Sequence, residues 1–160
     1  MHGTYEANNA MHDCDLLINI GARFDDRITG KIDEFSPKSK KVHIDIDPSS
    51  INKIIKVDLS LVGDVKDVLK GINKTLKKKN MNLNKSNKHQ ISKWWEQIQK
   101  WRTKNSLHFN NSDETIKPQH AVQRLYELTK HKDTFVTTEV GQHQMWAAQH
   151  YKFNKPNRWM

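Results

Sequence analysis

The spacing of apolar residues changes several times along this chain, and each change marks an element. Tyr5 to Met11 reads as a short helix, and Asp15 to Ile20 (DLLINI) is an apolar run of strand length closed by Gly21. Val42 to Ile46 (VHIDI) forms a second strand. It ends at Asp47-Pro48, because proline has no amide to give a ladder, and Ser49-Ser50 then offers an N-cap for a turn of helix. Val57 to Val62 is a third extended run. The period then switches: Asp64 caps a helix that carries Val65, Val68, Leu69, Ile72 and Leu76 on one face, at intervals of three and four. The order helix, strand, loop, strand, strand, helix suits one half of an open parallel sheet.

The pattern lapses between Lys77 and Lys88. Lysines at 77, 78, 79, 85 and 88 alternate there with Asn80, Asn82, Asn84 and Asn87, and the stretch reads as a solvated linker. Beyond it, His89 to Asn105 has the helical period, with Ile91, Trp94, Trp95, Ile98 and Trp101 in a packing stripe. Pro118 suits the first position of another helix, whose apolar face is Ala121, Val122, Leu125 and Leu128. Asp133 to Thr138 (DTFVTT) is expected as a strand and Gln142 to His150 as a helix. No internal repeat is visible.

Composition narrows the class. Apolar residues make up 35% and charged residues 28%, which is polar for a globular chain, but five Trp and five Phe argue for a packed core. The net charge of +9 invites a nucleic-acid reading. Much of the excess lies in the Lys/Asn tract, however, and acids and bases are mixed elsewhere, so no nucleic-acid partner is expected. No apolar run approaches the roughly 18 residues that span a bilayer, so no membrane is expected either. The opening Met1-His2-Gly3-Thr4-Tyr5-Glu6 lacks a basic and an apolar signal region, and the lone Cys14 has no internal partner. A soluble, cytoplasmic protein is the expectation. The histidine spacings match no zinc pattern: His2 and His12 lie ten apart, His143 and His150 seven.

Three clusters carry candidate chemistry. Gly21-Ala22-Arg23-Phe24-Asp25-Asp26-Arg27 follows the first strand directly. In an open parallel sheet ligands bind at the carboxyl ends of strands, and Arg23 and Arg27 could each grip a phosphate with a planar fork; an exposed loop with surface ion pairs is the plainer alternative. Asp45, at the end of VHIDI, could accept hydrogen bonds from ribose hydroxyls, or could serve only as a turn-forming acid before Asp47-Pro48. Glu139-Val140-Gly141-Gln142-His143-Gln144-Met145-Trp146 offers a glycine at a helix start, where free amides and a positive dipole end suit a diphosphate. An ordinary strand-to-helix turn would look the same.

Taken together and in order, MHGTYEANNAMHDCDLLINIGARFDDR, KKVHIDIDPSSINK, VGDV, QHAVQRLYEL and TTEVGQHQMWAAQHYKF resemble consecutive blocks of the acetolactate synthase (acetohydroxyacid synthase) large subunits, which are thiamine diphosphate-dependent enzymes. The likeness falters only in the Lys/Asn tract and around Asn110 to Thr115. It implies an α/β fold: residues 1–76 as the C-terminal half of a central FAD-binding domain, 77–88 as a linker, and 89–160 as a helical connection and the start of a thiamine diphosphate-binding domain. By position, Met1, His2, Gly21, Ala22, Arg23, Phe24, Asp25, Arg27, Asp45, Ile46, Asp64 and Val65 would line the FAD groove, and Gln142 and His143 would meet the thiamine diphosphate tail. Met1, Asp26, Arg27 and Met145 would border the channel to the active site, which in the family forms between two subunits.

The resemblance implies a carboligation in which two pyruvates, or pyruvate and 2-oxobutanoate, are joined with loss of CO2. It implies FAD without a net redox role, a homodimer of large subunits, and a small regulatory subunit. The family's activating glutamate belongs to another domain, and its Gly-Asp-Gly…Asn segment for Mg2+ to a later stretch; neither motif has a match in these residues. No catalytic residue or metal ligand is therefore expected here. The alternative is an inactive remnant with only a nucleotide-binding or subunit-interaction role.

Overall fold

The computed structural model describes residues 3–79 and 85–160. They form two compact units, one of Thr4–Lys104 and one centred on Asn105–Met160. Among the described residues no helix is long and apolar enough to cross a membrane.

The first unit is built on a parallel sheet. Helix α1 (Tyr5–Asp13) starts where the Thr4 hydroxyl accepts from the Ala7 amide, and it precedes β1 (Leu16–Ile20). Strands β2 (Lys40–Asp45) and β3 (Leu59–Val62) follow, and the sheet has the order β1-β2-β3 with every pair parallel. The β1–β2 register sets Asn19 beside His43 and Ile20 beside Ile44, and β2–β3 sets Asp45 beside Val62. Asp58 pins the opposite end of the sheet, accepting from the Lys41 amide and the Lys40 ammonium at 2.8 Å each.

Strand alternation gives the sheet two unlike faces. Leu17 joins Phe24, Phe35, Ile55, Val57 and Met11 in the core, where the rings of Phe24 and Phe35 meet edge to face at 5.7 Å. On the other face Ile44 is 1% exposed, and helix α3 (Val65–Lys78) packs on β2. Leu16 and Ile18 share that face and remain half exposed. Asp64 caps α3 as expected, accepting from the Lys66 amide at 2.8 Å.

Several sequence expectations are corrected. Ser49-Ser50 does not cap the turn after β2: Asp47 does, accepting from the Ser49 amide, and Pro48–Ser50 is a single 3₁₀ turn. The short helix α2 (Asp26–Thr29) was hidden inside the charged loop. The tract 77–88 is helical at both ends, since α3 runs through Lys78 and α4 (Lys85–Arg102) begins at Lys85. Lysine is a good helix former, and Lys77 and Lys78 suit the negative end of α3. Helix α4 packs on α1 within the first compact unit. Arg102 lies 3.9 Å from Glu6, and the Lys104 ammonium sits 4.0 Å from the Tyr5 ring centroid.

In the second unit α5 (Pro118–Thr129), with Pro118 in its first turn, packs on α6 (Gln142–His150). The Tyr126 and Tyr151 rings meet edge to face at 5.3 Å, and the Thr129 and Tyr151 hydroxyls are 2.7 Å apart. The strand expected over Asp133 to Thr138 is reduced to one parallel bridge, Val136 with Trp159. Its hydrogen bonds run from Val136 N to Arg158 O (2.8 Å), from Met160 N to Val136 O (3.0 Å) and from Thr138 N to Met160 O (3.0 Å). Arg158 also forks onto Asp133 at 2.8 and 3.0 Å, which holds that carboxyl below its usual range.

Two outcomes follow from this packing. Phe24→Ala should destabilise the first unit by on the order of 3–5 kcal/mol, the cost of emptying a buried aromatic site, as read by urea denaturation. In the second unit His150 is buried beside Phe109, and burial lowers its pKa from 6.5. The unfolded chain therefore binds a proton that the folded unit refuses, so stability should fall as pH drops below about 6.5 and level off below the depressed folded value. Thermal melts at pH 7.5 and 5.5 check this. The loss should shrink in His150→Gln, and an equal loss in both proteins would contradict it.

Candidate functional site

Because the three strands are parallel and end almost level, the residues that follow them share one rim. β1 continues into Gly21, whose amide donates to the Ile44 carbonyl at 2.8 Å. Gly21 has φ +64°, a conformation that favours glycine, and the space where a Cβ would stand is open. β2 ends at Asp45, whose carbonyl accepts from the Gly63 amide at 2.9 Å, and β3 runs through Gly63 to Asp64 at the start of α3. Gly21, Asp45 and Asp64 therefore lie along the carboxyl edge of one sheet, where an open α/β fold binds its ligands.

Side chains give the rim its character. Arg23 is 80% exposed, with its Nε 3.2 Å from Asp25 Oδ2. The other Asp25 oxygen is buried without a hydrogen-bond partner. Asp26 and Arg27 are exposed in α2, whereas Phe24 turns its ring into the core. Asp45 acts as the turn-forming acid, its Oδ1 accepting from the Asp47 amide at 2.9 Å. Its Oδ2 faces His43 Nε2 at 3.5 Å. Hydrogen bonds from Ser49 hold the neighbouring Asp47 carboxyl below its usual range. Ile46, Asp64 and Val65 are exposed at the same edge, while Met1 and His2 fall outside the described residues.

Sequence reasoning missed two residues here. His43 is 0% exposed, and its Nε2 lies 3.1 Å from the Ala22 carbonyl. The Asn19 amide nitrogen donates to that same oxygen. The signal was alternation in VHIDI, which puts His43 and Asp45 on one face, but only the register reveals Asn19 as the neighbour of His43.

The other candidate residues belong to the second unit. Gly141 precedes α6 without any side-chain cap, and Gln142 and His143 are exposed in the first turn. That turn presents amides and the positive end of a nine-residue helix. The His143 ring folds back over Gly141, where a Cβ would come within 2.9 Å of it. Met145 is half-buried, in a different unit from Asp26 and Arg27. Among the described residues no group of three or more His, Cys, Asp or Glu side chains could hold a metal ion.

Comparison with known proteins agrees with the α/β fold. The central-domain family of thiamine pyrophosphate enzymes matches residues 1–72. Across all 160 residues the chain is 45% identical to an acetolactate synthase large subunit of Buchnera aphidicola subsp. Schizaphis graminum and 43% identical to the acetolactate synthase isozyme 3 large subunit of Escherichia coli strain K12. It is also 43% identical to acetolactate synthase 1, chloroplastic, of Nicotiana tabacum. The chain spans 27% of the length of each bacterial relative and 23% of the tobacco protein. Over its whole length the chain is thus similar to a segment of acetolactate synthase large subunits, and the part that carries its parallel sheet matches the central-domain family of thiamine pyrophosphate enzymes.

Proposed function

We propose that these residues form the flavin-facing part of an acetolactate synthase large subunit, together with the opening of its thiamine diphosphate domain. On this reading residues 1–76 are the C-terminal half of the FAD domain, 77–88 a connection, and 89–160 the approach to the cofactor that does the chemistry. The observation that carries the reading is the match over all 160 residues, laid on a sheet whose rim collects Gly21, Arg23, Asp45 and Asp64.

The rim has the chemistry a dinucleotide needs. Open space beside Gly21 allows close approach to the backbone, and the exposed Arg23 and Arg27 match phosphate oxygens. Asp45, partly exposed at the same edge, is an acceptor for hydroxyl donors. In the second unit, the first-turn amides of α6 with Gln142 and His143 would hold a diphosphate as neutral donors, leaving Mg2+ to residues outside this chain. Thiamine diphosphate, when bound, supplies the electron sink for joining pyruvate to a second pyruvate or to 2-oxobutanoate with loss of CO2. FAD takes no net redox part, so the rim residues bind and orient rather than react. Asp26, Arg27 and Met145 would border the channel to that centre. A homodimer of large subunits with a small regulatory subunit, in the cytoplasm, completes the proposal.

The polypeptide alone should make no acetolactate from pyruvate, even with FAD, thiamine diphosphate and Mg2+. Its 160 residues match neither the family's activating glutamate nor its metal-binding segment, and Gln142 and His143 contribute hydrogen bonds worth on the order of 1 kcal/mol each. Activity above that of a Gln142→Ala/His143→Ala variant would contradict this. The positive test is a chimera in which the chain replaces the matching segment of the Escherichia coli isozyme 3 large subunit. It should retain FAD and form acetolactate, and Arg23→Ala should weaken FAD retention about tenfold, the scale of one charged hydrogen bond. A folded chimera that holds no FAD would sink the proposal.

A further inference from the structure

We infer that His43 is a positioning residue, which with Asn19 clamps the Ala22 carbonyl and thereby sets the Gly21–Arg23 turn against Asp45. The inference deepens the flavin reading and rests on it for its functional consequence.

The geometry of His43 allows one arrangement of its protons toward the rim. Nε2 faces two acceptors, the Ala22 carbonyl at 3.1 Å and Asp45 Oδ2 at 3.5 Å, and neither can donate to it. Nε2 must therefore carry the hydrogen and share it between the end of β1 and the end of β2. Nδ1 is buried without a partner, so the ring gains nothing from turning that nitrogen toward the rim. The ring is 0% exposed and packs edge to face on Phe24 at 5.2 Å, so it has no freedom to swing away. A fully buried polar group with one side unsatisfied is costly, and the observed bonds on the other side are what hold it there.

Asn19 makes the arrangement a clamp. It is the register partner of His43 on the same face, and its amide takes the other lone pair of the Ala22 oxygen. With both lone pairs used, the peptide plane between Ala22 and Arg23 is held from two strands, from β1 through Asn19 and from β2 through His43. What that plane controls is the direction in which Arg23 leaves the strand end. Asp45, held by its own bond from the Asp47 amide, is the second body against which the turn is set. Phe24, next along, is anchored in the core, so the turn is tied down on both sides of Arg23.

The test uses the conservative replacement to separate donation from packing. Glutamine places an amide nitrogen near the position of Nε2, whereas phenylalanine fills the space without a donor. In the 160-residue chain, NMR of the imidazole nitrogens should show the Nε2–H form. His43→Phe should speed amide exchange at Gly21, Ala22 and Arg23 at least tenfold relative to Gly63, and His43→Gln should restore it to within about threefold, as expected for one hydrogen bond. In the chimera described above, His43→Phe should weaken FAD retention about tenfold with kcat for the FAD-loaded enzyme unchanged, and His43→Gln should recover it. Exchange that accelerates equally at Gly63, or a glutamine variant no better than phenylalanine, overturns the clamp. FAD retention unaltered by His43→Phe overturns its functional role. If the parent chimera itself holds no FAD, the flavin reading fails, and the exchange pattern alone then decides the clamp.

Discussion

Everything proposed for this chain depends on three parallel strands that stop in step. The pairings of Ile20 with Ile44 and of Asp45 with Val62 put the ends of β1, β2 and β3 within about one residue of one another. Hydrogen bonds from Gly21 to Ile44 and from Gly63 to Asp45 then carry the ladder one step past the regular strands. A slip of one residue in either pair would reverse which side chains face the core. His43 would turn away from Phe24, Leu17 would leave the Phe24–Phe35–Ile55 cluster, and Arg23 and Asp45 would no longer share an edge.

The sheet is also half-dressed. One face has a core of three buried residues and their neighbours, but the other leaves Leu16, Ile18 and Leu59 about half exposed around a buried Ile44. Helix α3 shows the same incompleteness, with Val65, Leu69 and Leu76 of its apolar stripe partly open. Parallel sheets bury both faces in finished α/β domains. A chain that spans about a quarter of its relatives' length would be expected to show such surfaces.

Much of the fold was legible because it is written in local periods. DLLINI, VHIDI and the Val65–Leu76 stripe announced strands and a helix from their spacing alone, and Asp64 announced a cap by position. What stayed hidden depended on distant partners. DTFVTT has strand composition, but a strand needs a ladder, and Trp159 supplies only one bridge. The lysines around 77–88 read as linker because solvated helix ends and solvated loops share a composition. The site was half legible for the same reason. Exposed charges in GARFDDR advertise themselves, whereas the role of Asn19 and His43 exists only once two strands lie in register.

The packing of α4 on α1 has a consequence for how the first unit forms. Strands β1, β2 and β3 are neighbours in both sequence and space, so their pairings close short loops. Helix α1 rests Met11 on the core beside the sheet, but its contact with α4 forms only when the last helix of the unit is present. Closing so long a loop is entropically slow, and topologies rich in distant contacts fold late. During synthesis, then, the face of α1 that meets α4 stays open while the sheet is already assembled. Until α4 docks, that open face is one more surface available for association with other chains.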